Sequence, residues 1–485
     1  MAESLPYTAA GGFKIMEIRP TRRKLLQGIA ASAGWGIAKI VPAEPAARPS
    51  RQLADAGTFR VTLPNRVLPM PEGVTKHHSA PGFKFRGIKG LAWIPSQYLE
   101  TIPVMARYKM NFLMNCYTSL WDLEPRGTWS ELVHKDINHW YQPLPGEKKV
   151  AYEHVVRECQ RQGLEFCFSM NPILSCDRPF DYKKAEDLET LWRHYAWMQS
   201  LGVKWFNVSL DDISQGIDAP NQAKVVNEIL KRLRMKDSGA KMIFTPTWYA
   251  GTGKQGIETA AKLGAGDTPG VRYTKQLAES LDSDVYLYWT GPEVCSLAIT
   301  REDAEDYKRL AKHRLFIWDN YPCNDQRPTL QLGPLMGRGG KLPRSTEGYI
   351  SNPLSPQAQA NNIPMLTIAD YLWNPAAYGP ARSIGQAIVH LANTREGRGT
   401  LKDLVELYPG RLVAGSQSTG WNSLQYRFHS LLSQGAQKDA RDFIARVQSV
   451  SRRMAKQFPD RFVLARKTLD SDLADIRKKY AAKYS

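Results

Sequence analysis

Eight short, almost uninterrupted apolar runs rich in β-forming residues alternate with helical patterns through the middle of this chain, at residues 85–91, 112–117, 164–170, 205–210, 241–245, 285–289, 315–319 and 348–351. Helical spacing fills several of the intervals, as at 152–162, 188–200, 223–233 and 301–312. A strand that is apolar on both faces must be covered on both faces, and regular strand–helix alternation lays successive strands parallel. Eight such units in about 290 residues predict an α/β chain built on a (β/α)8 TIM barrel.

The barrel is expected over residues 82–375. After Trp373-Asn374-Pro375 the pattern becomes helical only. Phe443, Val447, Val450, Met454 and Phe458 recur at steps of three and four, and a charge-rich stretch follows at 460–484. Residues 376–485 therefore read as a C-terminal α-helical domain. Residues 44–81, rich in Pro, Ala and charge, read as a linker and small appendage with a strand at 58–63. At the start, Arg22-Arg23 precede a weakly apolar stretch containing Gly28, Gly34 and Gly36, with small residues at Val41-Pro42-Ala43. Residues 1–43 thus look like a bacterial twin-arginine export signal, with Met16 an alternative start, and predict a periplasmic or secreted protein. The stretch is too short and too glycine-rich for a stable membrane span.

The net charge of +18 invites a nucleic-acid reading. However, the basic residues are scattered, and the densest run, 231–236, reads as the wet end of an amphipathic helix, so no nucleic-acid partner is expected. The six cysteines show no CxxC pairing, and the nine histidines show no pair at metal spacing. This predicts neither metal site nor disulfide framework, and buried, reduced thiols instead. Gly251-Thr252-Gly253-Lys254-Gln255-Gly256 matches GxGxxG, but Gln follows the lysine and no glycine occupies the first phosphate-loop position. It predicts a loop beside Tyr249, and no cofactor. The 13 Trp and 21 Tyr are numerous enough to stack on sugar rings, though packing accounts for most such residues.

Barrel enzymes carry their chemistry at the C-terminal ends of strands. Here Asp211-Asp212 follow the fourth run, Tyr249 lies just past the fifth, Trp289 ends the sixth, Trp318-Asp319-Asn320 end the seventh and Asn352 follows the eighth. Five consecutive run ends carrying polar or aromatic groups predict one convergent pocket. Taken singly, Asp211-Asp212 is also what a helix cap looks like, Trp318 what a core residue looks like, and Asp325 and Asn352 what loop caps look like. Two carboxylates beside apolar sequence are costly to bury unless they are paired or hydrogen-bonded. Adjacent residues on one strand rarely flank a glycosidic bond from opposite sides at about 5–9 Å, as two directly acting carboxylates must. A neighbouring pair suits another division of labour, in which one acid protonates the leaving oxygen and the other steers a nucleophile within the substrate.

From about residue 86 to 373 the chain resembles the family 84 glycoside hydrolases, the β-N-acetylglucosaminidases that include O-GlcNAcases. The resemblance rests on Leu210-Asp211-Asp212-Ile213, Pro246-Thr247-Trp248-Tyr249, Trp289-Thr290-Gly291, Trp318-Asp319-Asn320-Tyr321-Pro322-Cys323-Asn324-Asp325, Ser351-Asn352-Pro353 and Ala369-Asp370-Tyr371-Leu372-Trp373-Asn374-Pro375. It implies retaining hydrolysis of an N-acetylated amino-sugar glycoside, in which the substrate's acetamido oxygen attacks C1 to form an oxazoline. Asp211 would accept the acetamido N–H, Asp212 would act as general acid and then base, Tyr249 would donate to the acetamido oxygen, and Asn320 would hold the reacting group. Trp318 would wall the acetamido pocket, while Asp325, Asn352 and the backbone of Gly90 would bind sugar hydroxyls.

Two departures stand out. The family's Glu-Gly-Phe-Tyr-Gly after the first strand is Lys89-Gly90-Leu91-Ala92-Trp93 here, and its Tyr-Ala-Pro-Lys-Asp-Asp after the second is Tyr117-Thr118-Ser119-Leu120-Trp121-Asp122. The sugar-binding lysine is missing, leaving Lys89 or Asp122 to take over its contact. The alternative readings are a carbohydrate-binding protein that kept the barrel and lost turnover, and a hydrolase of a different amino sugar.

Overall fold

In the computed structural model, which describes residues 59–71, 82–121, 138–262, 267–324, 329–354, 359–414 and 423–484, the eight runs form eight parallel strands closed into a barrel in chain order. They are β1 (Phe85–Lys89), β2 (Phe112–Met114), β3 (Glu165–Met170), β4 (Trp205–Ser209), β5 (Lys241–Thr245), β6 (Tyr286–Trp289), β7 (Arg314–Asp319) and β8 (Gly348–Ser351). Helices cover the outside: α1 (Pro95–Arg107), α2 (Gly146–Gln162), α3 (Ala185–Ser200), α4 (Ala219–Lys236), α5 (Gly253–Lys262), α6 (Pro269–Ser280), α7 (Arg301–Ala311) and α8 (Asn362–Trp373). The architecture is the (β/α)8 barrel with a helical domain that the alternation predicted.

Strand pairing decides which side chains face inward. Lys89 is in register with Met114, Met114 with Cys167, Ser169 with Asn207, Ser209 with Thr245, Tyr288 with Phe316, and Trp318 with Ile350. These residues share one phase of the pleat and point into the barrel. At the N-terminal mouth the same phase supplies an aromatic plug. Phe85 meets Trp205 at 4.7 Å and Phe316 at 5.6 Å between ring centroids, and Tyr286 packs on Trp205 at 5.5 Å. Gly348 is what lets the plug close, since a Cβ there would lie 2.3 Å from the Phe316 ring. Higher up, the lumen turns polar. The Ser169 hydroxyl donates to Asn207 Oδ1 at 2.6 Å, and Asn207 Nδ2 to Thr245 Oγ1 at 3.0 Å. A plug below and hydrogen-bonded polar groups above leave the C-terminal mouth as the end where chemistry can be placed.

The remaining helices, α9 (Pro380–Leu391), α10 (Arg395–Leu407), α11 (Arg411–Ala414), α12 (Ser423–Ser433), α13 (Gln437–Gln457) and α14 (Val463–Tyr484), make up the C-terminal helical domain. Phe443, Val447, Val450 and Met454 of α13 are buried, as their spacing predicted. No strand forms at 59–63. That segment lies against the helical domain, where Glu406, 1% exposed, accepts from the Val61 N–H at 3.0 Å and pairs with Arg60, Lys402 and Arg446 at 2.9–3.0 Å. Farther along, the Leu68 N–H donates to Gln386 Oε1 at 3.0 Å. The export segment lies outside the described residues. No helix among the described residues is long and apolar enough to cross a membrane. The GxGxxG run is not a loop throughout: Gly251 takes φ +101° and α5 begins at Gly253. All six cysteines are free, and all but Cys295 are buried.

Candidate active site

The turn after β4 carries the acid pair. Leu210 is fixed on both sides: its N–H donates to the Thr245 carbonyl at 2.9 Å and its carbonyl accepts the Thr247 hydroxyl at 2.9 Å. Asp212 then takes φ +57°, a left-handed conformation that Asp tolerates better than most residues. The two acids, 4% and 1% exposed, are thereby held by different partners. The Tyr117 hydroxyl donates to Asp211 Oδ2 at 2.5 Å, and the Tyr249 hydroxyl donates to Asp212 Oδ1 at 2.7 Å. Asn171 Nδ2, from the end of β3, ties down the Asp211 carbonyl at 3.1 Å. Burial, reinforced by the charges of Asp211 and Asp212, pushes the Tyr117 phenol well above its ordinary pKa, so it remains a proton donor to Asp211.

The second half of the site comes from β7 and β8. Asn320 Oδ1 accepts from Trp318 Nε1 at 3.1 Å and from Asn352 Nδ2 at 3.0 Å, while Asn320 Nδ2 donates to the Val294 carbonyl at 2.7 Å. With its Nδ2 so committed, Asn352 presents a buried Oδ1 that has no hydrogen-bond partner among the described residues. It is an acceptor suited to a ligand hydroxyl.

Lys89 joins the halves. Its phase on β1 aims it into the lumen, where Nζ lies 4.0 Å from the Trp318 ring centroid and 4.5 Å from that of Tyr117. The side chain is only 2% exposed, and its ammonium rests on two π faces. A continuous series of contacts thus runs Asp212–Asp211–Tyr117–Lys89–Trp318–Asn320–Asn352, with Tyr249 closing on Asp212.

Of the residues named from sequence, Asp211, Asp212, Tyr249, Trp318, Asn320 and Asn352 all belong to this cluster. Asp325, like Asp122, lies outside the described residues. Gly90, expected to touch a sugar through its backbone, directly follows β1 at the same rim. Its carbonyl accepts the Trp93 N–H and the Tyr98 hydroxyl, both at 3.2 Å, which occupies both lone pairs and leaves only the N–H for a sugar. Two strand-end residues leave the rim altogether. Trp289 turns outward, stacks on Tyr307 at 5.4 Å and donates to the Gly251 carbonyl. Asp319, opposite in phase to Trp318, forms a buried ion pair with Arg338 at 2.6 Å. Sequence reasoning passed over Tyr117 as a functional group, and Asn171 entirely. Tyr117 ends the second apolar run and Asn171 follows the third, so the strand-end rule applied to those strands would have found them. A separate cavity of about 400 Å³ at the opposite mouth, lined by Lys84, Arg314, Arg344 and Glu347, contains none of these residues.

The sequence profile of the β-N-acetylglucosaminidase family (NAGidase) matches residues 87–406, running from β1 through the barrel into α10. The protein O-GlcNAcases of Rattus norvegicus and Mus musculus are each 25% identical to this chain over 296 residues, which cover 59% of this chain but only 29% of theirs. The solved structure of CpGH84B superposes with a TM-score of 0.62 at 23% identity, over 83% of this chain and 68% of that one. A mutant of the Thermobaculum terrenum O-GlcNAc hydrolase gives 0.64 at 22% identity, over 82% and 84%. At such identities the structural likeness bears on the fold alone.

Proposed function

Given that this chain belongs to the β-N-acetylglucosaminidase family, the family 84 glycoside hydrolases, we propose that it is a retaining hydrolase that removes terminal β-linked N-acetylglucosamine-like residues by substrate-assisted catalysis. The observation that carries the reading is the pair of adjacent acids, each held by its own tyrosine. Consecutive residues at one strand end lie on the same side of a bound sugar, so neither can attack C1 from the face opposite the other. The nucleophile then has to come from the substrate. Its acetamido oxygen attacks C1 as the bond to the leaving oxygen breaks, Asp212 delivers a proton to that oxygen, and Asp211 accepts the acetamido N–H as positive charge builds on the forming oxazoline. Asp212 next takes a proton from the water that reopens the ring, and the product keeps the β configuration. Tyr249 has two partners to serve. It donates to Asp212, and transfer of that donor to the acetamido oxygen of a substrate releases Asp212 for its proton.

Two aryl glycosides test this. The aryl β-N-acetylglucosaminide is expected to be cleaved with retention, read by proton NMR of the first-formed sugar. The corresponding aryl β-glucoside, which lacks the internal nucleophile, is expected to be inert. Comparable turnover of both would refute substrate assistance, and tight sugar binding with no turnover of either would favour a binding protein.

Lys89 is assigned the hydroxyl-gripping contact that the family places after its second strand. Lys89→Met should raise KM about 10- to 100-fold, the worth of a charge-assisted hydrogen bond, with a smaller change in kcat. An unchanged KM would remove Lys89 from the site. The twin-arginine start supports export, which fractionation of a C-terminally tagged protein with and without Arg22-Arg23 would test.

A further inference from the structure

We propose that Arg411, in the helical domain, is a positioning residue of the active site, acting through Asn320. This rests on the hydrolase reading above and adds a role for the helical domain. The segment that carries Arg411 is clasped onto the turn following β7. The Leu332 N–H donates to the Tyr408 carbonyl at 2.8 Å, the Arg411 N–H donates to Gln331 Oε1 at 3.3 Å, and Gln331 Nε2 donates to the Cys323 carbonyl at 2.8 Å. The approach is close on both sides. A Cβ on Gly333 would lie 2.0 Å from the Pro409 carbonyl oxygen, and Gly410 takes φ +80° with its Cβ position 3.3 Å from the Tyr321 hydroxyl.

From this clasp the Arg411 side chain, 7% exposed, reaches into the rim, and its Nη2 donates to the main-chain carbonyl of Asn320. The other hydrogen bonds on Asn320, from Trp318 and Asn352 and to Val294, come from neutral groups of the barrel itself. The guanidinium is the one charged group among the described residues that holds this residue, and it comes from another domain. Its field extends to Glu293 in the loop after β6 and to Tyr321. Arg411 Nε is buried and has no hydrogen-bond partner among the described residues. A packing residue alone would not require a charged head, with one donor left unused, at this place. An amide that must present one orientation to the reacting acetamido group gains from a charge-assisted hydrogen bond that anchors its own carbonyl. Docking of the helical domain is thus read out as the orientation of Asn320.

The test uses the full chain and the aryl N-acetylglucosaminide. Arg411→Ala should lower kcat about 10- to 100-fold with little change in KM, because the lost alignment matters in the transition state. Added ethylguanidinium should restore part of that loss, which no general loosening of the fold would allow. Arg411→Met, which keeps the packing, carries the same test if the alanine protein does not fold, and should lose kcat while its Tm stays near that of the wild type. A wild-type kcat in these variants, or a loss that guanidinium does not relieve and that parallels a fall in Tm, overturns the inference while leaving the hydrolase reading intact. A wild-type protein with neither turnover nor binding of an oxazoline-mimicking thiazoline overturns both.

Discussion

Asp212→Asn is expected to lower kcat on an aryl N-acetylglucosaminide with a poor leaving group by about 10²- to 10⁴-fold, the range over which positioned proton transfer contributes. The size of the loss should depend on the leaving group. A dinitrophenolate departs without a proton, so the first step loses little and opening of the oxazoline, which still lacks its base, becomes limiting. Asp211→Asn should behave differently, with comparable losses for good and poor leaving groups, because Asp211 serves the acetamido group in both steps. The contrast follows from the two separate hydrogen bonds, Tyr117 to Asp211 and Tyr249 to Asp212. If the two variants gave the same leaving-group dependence, the division of labour proposed for the pair would be wrong.

The second large effect concerns stability. Arg338 uses all five of its N–H donors: Nε and Nη2 form a fork on Asp319 at 2.8 and 2.6 Å, and the others reach the carbonyls of Leu297, Met336 and Ser296 at 2.8–3.1 Å. Both side chains are 1% exposed, and the Tyr349 hydroxyl adds a further hydrogen bond to Asp319. Removing one member leaves the other charge buried without its partner, so Arg338→Met should cost about 3–5 kcal/mol in urea unfolding. Adding Asp319→Asn removes the stranded charge and should recover much of that cost, since a buried ion pair is worth far less than the penalty of breaking it. Activity should fall along with stability in the single variant, because Asp319 lies between Trp318 and Asn320 in the chain. A single variant as stable as the double would show that the charge is not stranded.

All eight strands were legible because strands buried on both faces leave short, nearly continuous apolar runs at regular intervals. What the runs do not reveal is phase. Trp318 and Asp319 are adjacent at the end of one run, yet one faces the lumen and the other an ion pair behind the sheet. Trp289 was misjudged for the same reason. Phase depends on register with neighbouring strands, and register is a long-range property. Lys89 shows the converse. The sequence offered Lys89 only as one of two stand-ins for the missing lysine, and it is the pairing with β2 that turns it inward. Arg411 had no local signature at all, since its partner lies 91 positions earlier. The strand read at 58–63 does not form over the described residues 59–63, because β propensity in a short segment is overridden when the helix beside it offers a carboxylate to the Val61 N–H.

The contact between Arg60, Val61 and Glu406 has a practical bearing on where this polypeptide can be shortened. A start that keeps Phe59 and the residues after it keeps this contact. A protein begun at the first strand would instead retain a carboxylate nearly sealed from water after taking away two of its hydrogen-bond donors. The boundary that matters for a soluble, well-behaved product therefore lies before the barrel, at the latch that the leading segment makes with the far end of the chain.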